Sequence, residues 1–94
     1  MVYALVRLTV QDQAKWKTVF EEAASLRKKY GSTGVQAYAK TDDPNAIVIL
    51  GEYESVDKAR ELFQSQEFRE ATQRAGMVGT PEVTLLEKVV QLAA

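Results

Sequence analysis

The strand-like stretches of this chain are apolar on both faces, yet only two helical stretches are available to cover them. Val2 to Val10 alternates, with Ala4, Val6, Leu8 and Val10 on one face and Tyr3, Leu5, Arg7 and Thr9 on the other. Gly34 to Lys40 sets Val35, Ala37 and Ala39 against Gln36, Tyr38 and Lys40. Ala46 to Glu54 contains the unbroken run Ala46-Ile47-Val48-Ile49-Leu50, the pattern of a strand covered on both sides. Glu82 to Leu92 places Val83, Leu85 and Val89 opposite Leu86 and Val90, after a loop at Met77-Val78-Gly79-Thr80-Pro81.

The helices lie between these stretches. Asp12 offers an N-cap carboxylate for a helix of about five turns, on which Trp16, Val19, Phe20, Ala23, Leu26 and Tyr30 form one apolar stripe before Gly31 stops it. Asp42-Asp43-Pro44-Asn45 reads as a turn, since proline presets one dihedral and the flanking side chains can bond nearby amides. Ser55 caps a second helix carrying Val56, Ala59, Leu62 and Phe63. Gln64-Ser65-Gln66 interrupts it with a second potential N-cap, which predicts a kink or a fresh start before Phe68, Ala71, Thr72 and Ala75.

The element order is thus β-α-β-β-α-β, an α+β chain of the ferredoxin-like, split-βαβ type. Right-handed crossovers put the four antiparallel strands in spatial order fourth, first, third, second, with both helices on one face. At 94 residues the chain is expected to form one domain spanning 1–94. Two helices cover one face of such a sheet. Half a dozen large apolar side chains left wet on the other would forgo roughly 1.5–3 kcal/mol each. A second copy of the chain, related by a two-fold axis, is the simplest cover, so a homodimer through the sheet face is expected. Periodicity does not say which face meets the helices.

Composition excludes several functions. There is no cysteine and no histidine, hence no disulfide, thiol nucleophile or thiolate metal site, and neither the commonest metal ligand nor the usual neutral-pH base. Twelve basic and 13 acidic residues, net charge −1, give no nucleic-acid surface. No stretch reads as a signal peptide or membrane helix, so a cytoplasmic protein without membrane association is expected. Gly31, Gly34, Gly76 and Gly79 are caps and turns without a phosphate-binding spacing.

Several stretches together resemble small proteins of the dimeric α/β-barrel superfamily, near the antibiotic-biosynthesis monooxygenases. They are Asp12 to Phe20 leading into Ala24-Ser25-Leu26-Arg27, Asp42-Asp43-Pro44-Asn45, Gly51-Glu52-Tyr53 before Ala59-Arg60, and Ser65 to Ala71 running on to Ala75-Gly76. The resemblance covers nearly the whole chain. It implies two sheets facing each other across a homodimer, with a small aromatic or polyketide-like ligand between helices and sheet. It also implies oxygenation without any cofactor. Haem-degrading and other histidine-dependent members are excluded. Such sites use Trp, Asn, Tyr and Arg side chains. Trp16, Tyr38, Tyr53, Arg27 and Asn45 are of those types, although Asn45 reads better as a turn residue.

Each candidate has a second reading. Trp16 either stacks on an aromatic ligand or opens the core stripe. Arg27 either binds a phenolate or carboxylate or is a helix-end cation. Arg7, mid-strand, is either a pocket-wall charge or one half of an ion pair with Glu52 at the sheet or dimer interface. Tyr38 and Tyr53 either offer hydroxyls to a ligand or are amphipathic edge residues. Glu22 is either a general base or a solvated carboxylate. Met77 either lines a pocket mouth or fills a gap. Two functions therefore stand: a cofactor-free monooxygenase on an aromatic compound, or a non-catalytic dimer binding a ligand or a protein. The first predicts a pocket with convergent polar groups. The second predicts a space filled by Trp16, Phe20 and Phe63.

Overall fold

The computed structural model describes residues 1–94. The order is β1 (Val2–Val10), α1 (Gln13–Glu22), α2 (Ala24–Lys29), β2 (Ser32–Lys40), β3 (Asp43–Tyr53), α3 (Val56–Gln64), α4 (Gln66–Arg74) and β4 (Met77–Glu87). The strands form one antiparallel sheet in the order β2-β3-β1-β4, the ferredoxin-like arrangement expected from the sequence.

Polar caps divide the helices. Asp12 accepts from the Ala14 amide at 3.0 Å and starts α1. Ser55 accepts from the Lys58 amide at 3.2 Å and starts α3. Ser65 accepts from the Phe68 amide at 3.1 Å while donating to the Leu62 carbonyl at 2.7 Å, so one hydroxyl closes α3 and opens α4. The fresh start expected at Ser65 is therefore present. The single five-turn first helix is not: Ala23 leaves helical geometry, at φ −83° and ψ 8°, and α2 begins anew. Gly31 ends α2 with φ +82°, a conformation costly for any residue with a Cβ. Asn45, near the start of β3 (Asp43–Tyr53), ties that strand to the start of α1, accepting from the Gln13 amide at 3.1 Å.

Strand boundaries also differ from expectation, β2 among them, which starts at Ser32 and not at Gly34. The hairpin turn tightens to Thr41 and Asp42, so Asp43, Pro44 and Asn45 already belong to β3. The stretch from Met77 to Pro81, read as a loop, is the first half of β4. An edge strand tolerates proline because its missing N–H faces no neighbour. The register of β4 on β1 shifts between Arg7 and Thr9, and Gly79 at φ +74° absorbs the distortion. The strand then ends at Glu87, so Val89 and Val90 lie beyond the sheet on neither face, exposed.

The helices cover the face bearing Ala4, Val6, Val10, Ile47, Ile49 and Tyr53, all buried. Leu62 of α3 is only 2% exposed against it. The opposite face carries Tyr3, Leu5, Val48 and Leu50, all half-buried, with Leu86 and Tyr38 exposed. The apolar surplus inferred from the sequence is thus located: the helices leave one face of the sheet uncovered.

Candidate functional site

An apolar cavity lies between helices and sheet. Every element contributes to its wall: β1 and β3 the floor, α1 and α2 one side, α3 and α4 the other, with Val35 and Met77 at the ends. Its volume is about 80 Å³. That is below the ~150 Å³ with which an engineered apolar cavity takes up one benzene. Aromatic rings occupy much of the remaining space. Trp16 stacks on Phe20 with centroids 4.8 Å apart. Across the cavity Phe63 meets Tyr53 at 6.0 Å and Phe68 at 5.2 Å, both edge-on.

Three polar side chains interrupt this lining: Arg27, Tyr53 and Thr72. The Thr72 hydroxyl is occupied, donating to the Arg69 carbonyl at 2.8 Å. Arg27 is half-buried. Its guanidinium lies over the Phe20 ring at 4.0 Å and donates through Nη1 to the Phe20 carbonyl at 2.7 Å, across the break at Ala23. Burial lowers its pKa from the usual arginine range, with Tyr53 acting in the opposite sense, and it stays cationic at neutral pH.

Tyr53 is 3% exposed, on the floor of the cavity. Its ring lies back over Gly51: a Cβ at that glycine would stand 3.0 Å from Cε2 and 3.3 Å from the hydroxyl. A side chain at position 51 would push the ring back by a few tenths of an ångström, so glycine favours this pose. Burial raises the Tyr53 pKa, and the Arg27 charge partly offsets that rise. Outside the cavity α2 and α4 are joined by polar contacts. Lys29 Nζ meets both Glu67 carboxylate oxygens, at 3.1 and 3.3 Å, and the Tyr30 hydroxyl donates to the same carboxylate at 3.0 Å.

The structure brings Trp16, Arg27, Tyr53 and Met77 together and leaves three candidates elsewhere. Glu22 is exposed, outside the cavity wall. Tyr38 is exposed on the uncovered face and donates to Gln36 at 2.7 Å. Arg7 is exposed on that same face, between Val48 and Glu82. The expected pair of Arg7 with Glu52 does not form. Glu52 stands opposite Tyr3, four positions along β1, roughly 13 Å away at strand rise. It accepts instead from Thr33 at 2.8 Å. Gly51, which carries no polar group to mark it in the sequence, shapes the site through its lack of a side chain.

No residues group into a metal-holding set, and no helix is long and apolar enough to cross a membrane. A family model described as a domain of unknown function (DUF1330) matches residues 1–89. Nothing among the curated proteins matches the chain. Solved structures do. A protein of Bordetella bronchiseptica, provisionally assigned as an antibiotic biosynthesis monooxygenase, superposes with a TM-score of 0.82 at 21% identity, covering 95% of this chain and 97% of that one. SnoaB, a cofactor-independent oxygenase from Streptomyces nogalater, gives 0.80 at 21% identity over 99% of this chain and 97% of its own. A Caulobacter crescentus protein with the same provisional assignment gives 0.74 at 22% identity, over 95% and 90%. Likeness at these identities is a likeness of fold, and a fold does not carry its function with it.

Proposed function

The chain belongs to the DUF1330 family, a domain of unknown function, and from that premise we propose that its helix–sheet cavity binds a small aromatic molecule and oxygenates it without a cofactor. The observation that carries this reading is that Arg27 and Tyr53 share the wall of an otherwise apolar, ring-lined cavity, where the Arg27 charge is felt at the Tyr53 phenol. Trp16 and Phe20 supply a stacking wall, and the polar pair orients the ring against it. The structural likeness to a cofactor-independent oxygenase supports the reaction class. The substrate supplies all the electrons: a methylene activated by its ring becomes a carbonyl, one atom of O₂ enters that carbonyl, and the other leaves as water. The protein contributes orientation, exclusion of water and a fixed electrostatic environment.

The uncovered sheet face belongs to the same reading. We propose that a second copy of the chain covers Tyr3, Leu5, Val48 and Leu50, giving a homodimer with one cavity per protomer.

The small cavity volume favours a second reading, in which Trp16, Phe20 and Phe63 fill the space permanently and the dimer is a non-catalytic binding module. Oxygen uptake separates the two. Catalysis predicts protein-dependent consumption of one O₂ per carbonyl formed from anthrone-type compounds, abolished by blocking the cavity with Ala71→Phe. No uptake, together with unchanged Trp16 emission on adding single-ring aromatics, would establish the filled core. Trp16 is the only tryptophan, so its fluorescence reports on the cavity alone.

A further inference from the structure

We infer that the ligand of this cavity carries one anionic oxygen centre, a carboxylate or phenolate on an aromatic ring, which docks on Arg27 and Tyr53. This rests on the proposed aromatic site and specifies its substrate class. Three observations carry it. First, the cavity wall contains a cation and no carboxylate. The one ion pair in the structure, Lys29 with Glu67, lies outside on the rim, so Arg27 has no acidic partner. A partly desolvated charge without a counter-ion is unfavourable, and a ligand anion would supply what the fold omits.

Second, the Arg27 donors are mostly unspent. A guanidinium carries five N–H groups in a planar fork suited to a bidentate oxygen acceptor. One contact is made, to the Phe20 carbonyl, and stacking on Phe20 fixes the plane of the fork without using the others. Third, Tyr53 lines the same cavity, within reach of the Arg27 charge. Its hydroxyl finds no partner in the protein, yet no buried polar atom is left both unpaired and sealed from solvent. The hydroxyl is therefore accessible, on a residue that lines the cavity, and Gly51 leaves room for the ring above it. A neutral phenol donates well to a carboxylate or phenolate oxygen.

The test compares isosteric pairs on the full chain at neutral pH, read by Trp16 emission and by NMR shift perturbation. One arm uses benzoate against benzamide, the other 4-nitrophenolate against nitrobenzene. The anionic member of at least one pair is expected to bind about tenfold more tightly, the difference between a charge-assisted and a neutral hydrogen bond. Which arm shows it distinguishes a carboxylate from a phenolate ligand. Arg27→Gln is expected to reduce that preference to within about twofold, and Arg27→Lys to retain part of it. Equal binding of charged and neutral members in both arms would overturn the inference and leave the aromatic site standing. Binding of neither would overturn both. The comparison on the unmodified chain decides the matter even where Arg27→Gln does not fold.

Discussion

Tyr53 shows how strongly one residue depends on its neighbours. It sits on a central strand with its ring laid over Gly51, almost wholly buried, in the same cavity wall as Arg27. Burial and the Arg27 charge act oppositely on its proton, and burial dominates. Tyr53 is therefore expected to titrate above the ordinary tyrosine range, and Arg27→Gln is expected to push it higher still. A pH titration followed by ultraviolet difference absorbance and by tyrosine ring NMR signals checks this. A fall in the Tyr53 value on removing Arg27 would contradict the placement of that charge. The linkage has a definite sign. A phenol with a raised folded-state pKa adds stability that is present in full below the ordinary range. That stability is lost as pH climbs through the raised value. Trp16, Arg27, Tyr53 and Met77 were legible in the sequence because their chemistry is explicit in the residue type. Gly51 was not, because a missing side chain matters only once the pose of its neighbour is known.

At the scale of elements, the two helical breaks were unequally legible for a physical reason. Ser65 carries a hydroxyl that competes for backbone amides, so its position between two apolar stripes announces an N-cap. Ala23 carries nothing of the kind and is the best intrinsic helix former, so the break after α1 left no mark in the residue type. The Arg27 contact with the Phe20 carbonyl spans that break. Gly79 and Pro81 disguised the first half of β4 as a loop, since both usually mark chain reversal, whereas here one serves a bulge and the other an edge. Because Ser65 bonds both Leu62 and Phe68, Ser65→Ala is expected to destabilise the fold by about 1 kcal/mol. Urea unfolding should show a lower midpoint with an unchanged slope. An unchanged midpoint would mean that tertiary packing alone sets the junction of α3 and α4.

At the scale of the molecule, a sheet apolar on both sides exceeds what the helices cover, and the structure shows which face is left over. Val6, Ile47 and Ile49 go beneath the helices, leaving Leu5, Val48 and Leu50 on the other side. Alternation alone was symmetric between the two choices, because both sets are equally apolar. The proposed dimer is checked by native mass spectrometry at micromolar protein, where twice the 10.5 kDa chain mass is expected. Leu50→Glu, which places a charge in the middle of the uncovered face, is expected to leave a monomer with its helical content intact by circular dichroism. A wild-type monomer would remove the proposed cover for this face.

The division of each helical arm has a mechanical consequence. The inner segments, α1 and α3, include the buried residues Trp16, Ala59 and Leu62, whereas the outer segments, α2 and α4, bury none completely. Stability is unevenly distributed in such a fold, and the portions with least burial yield first to thermal agitation. Polar fastening by Lys29, Tyr30 and Glu67 holds these outer portions together from the solvent side. A guest too bulky for the resting void thus meets a stiff floor and a compliant roof, and accommodation falls to the roof.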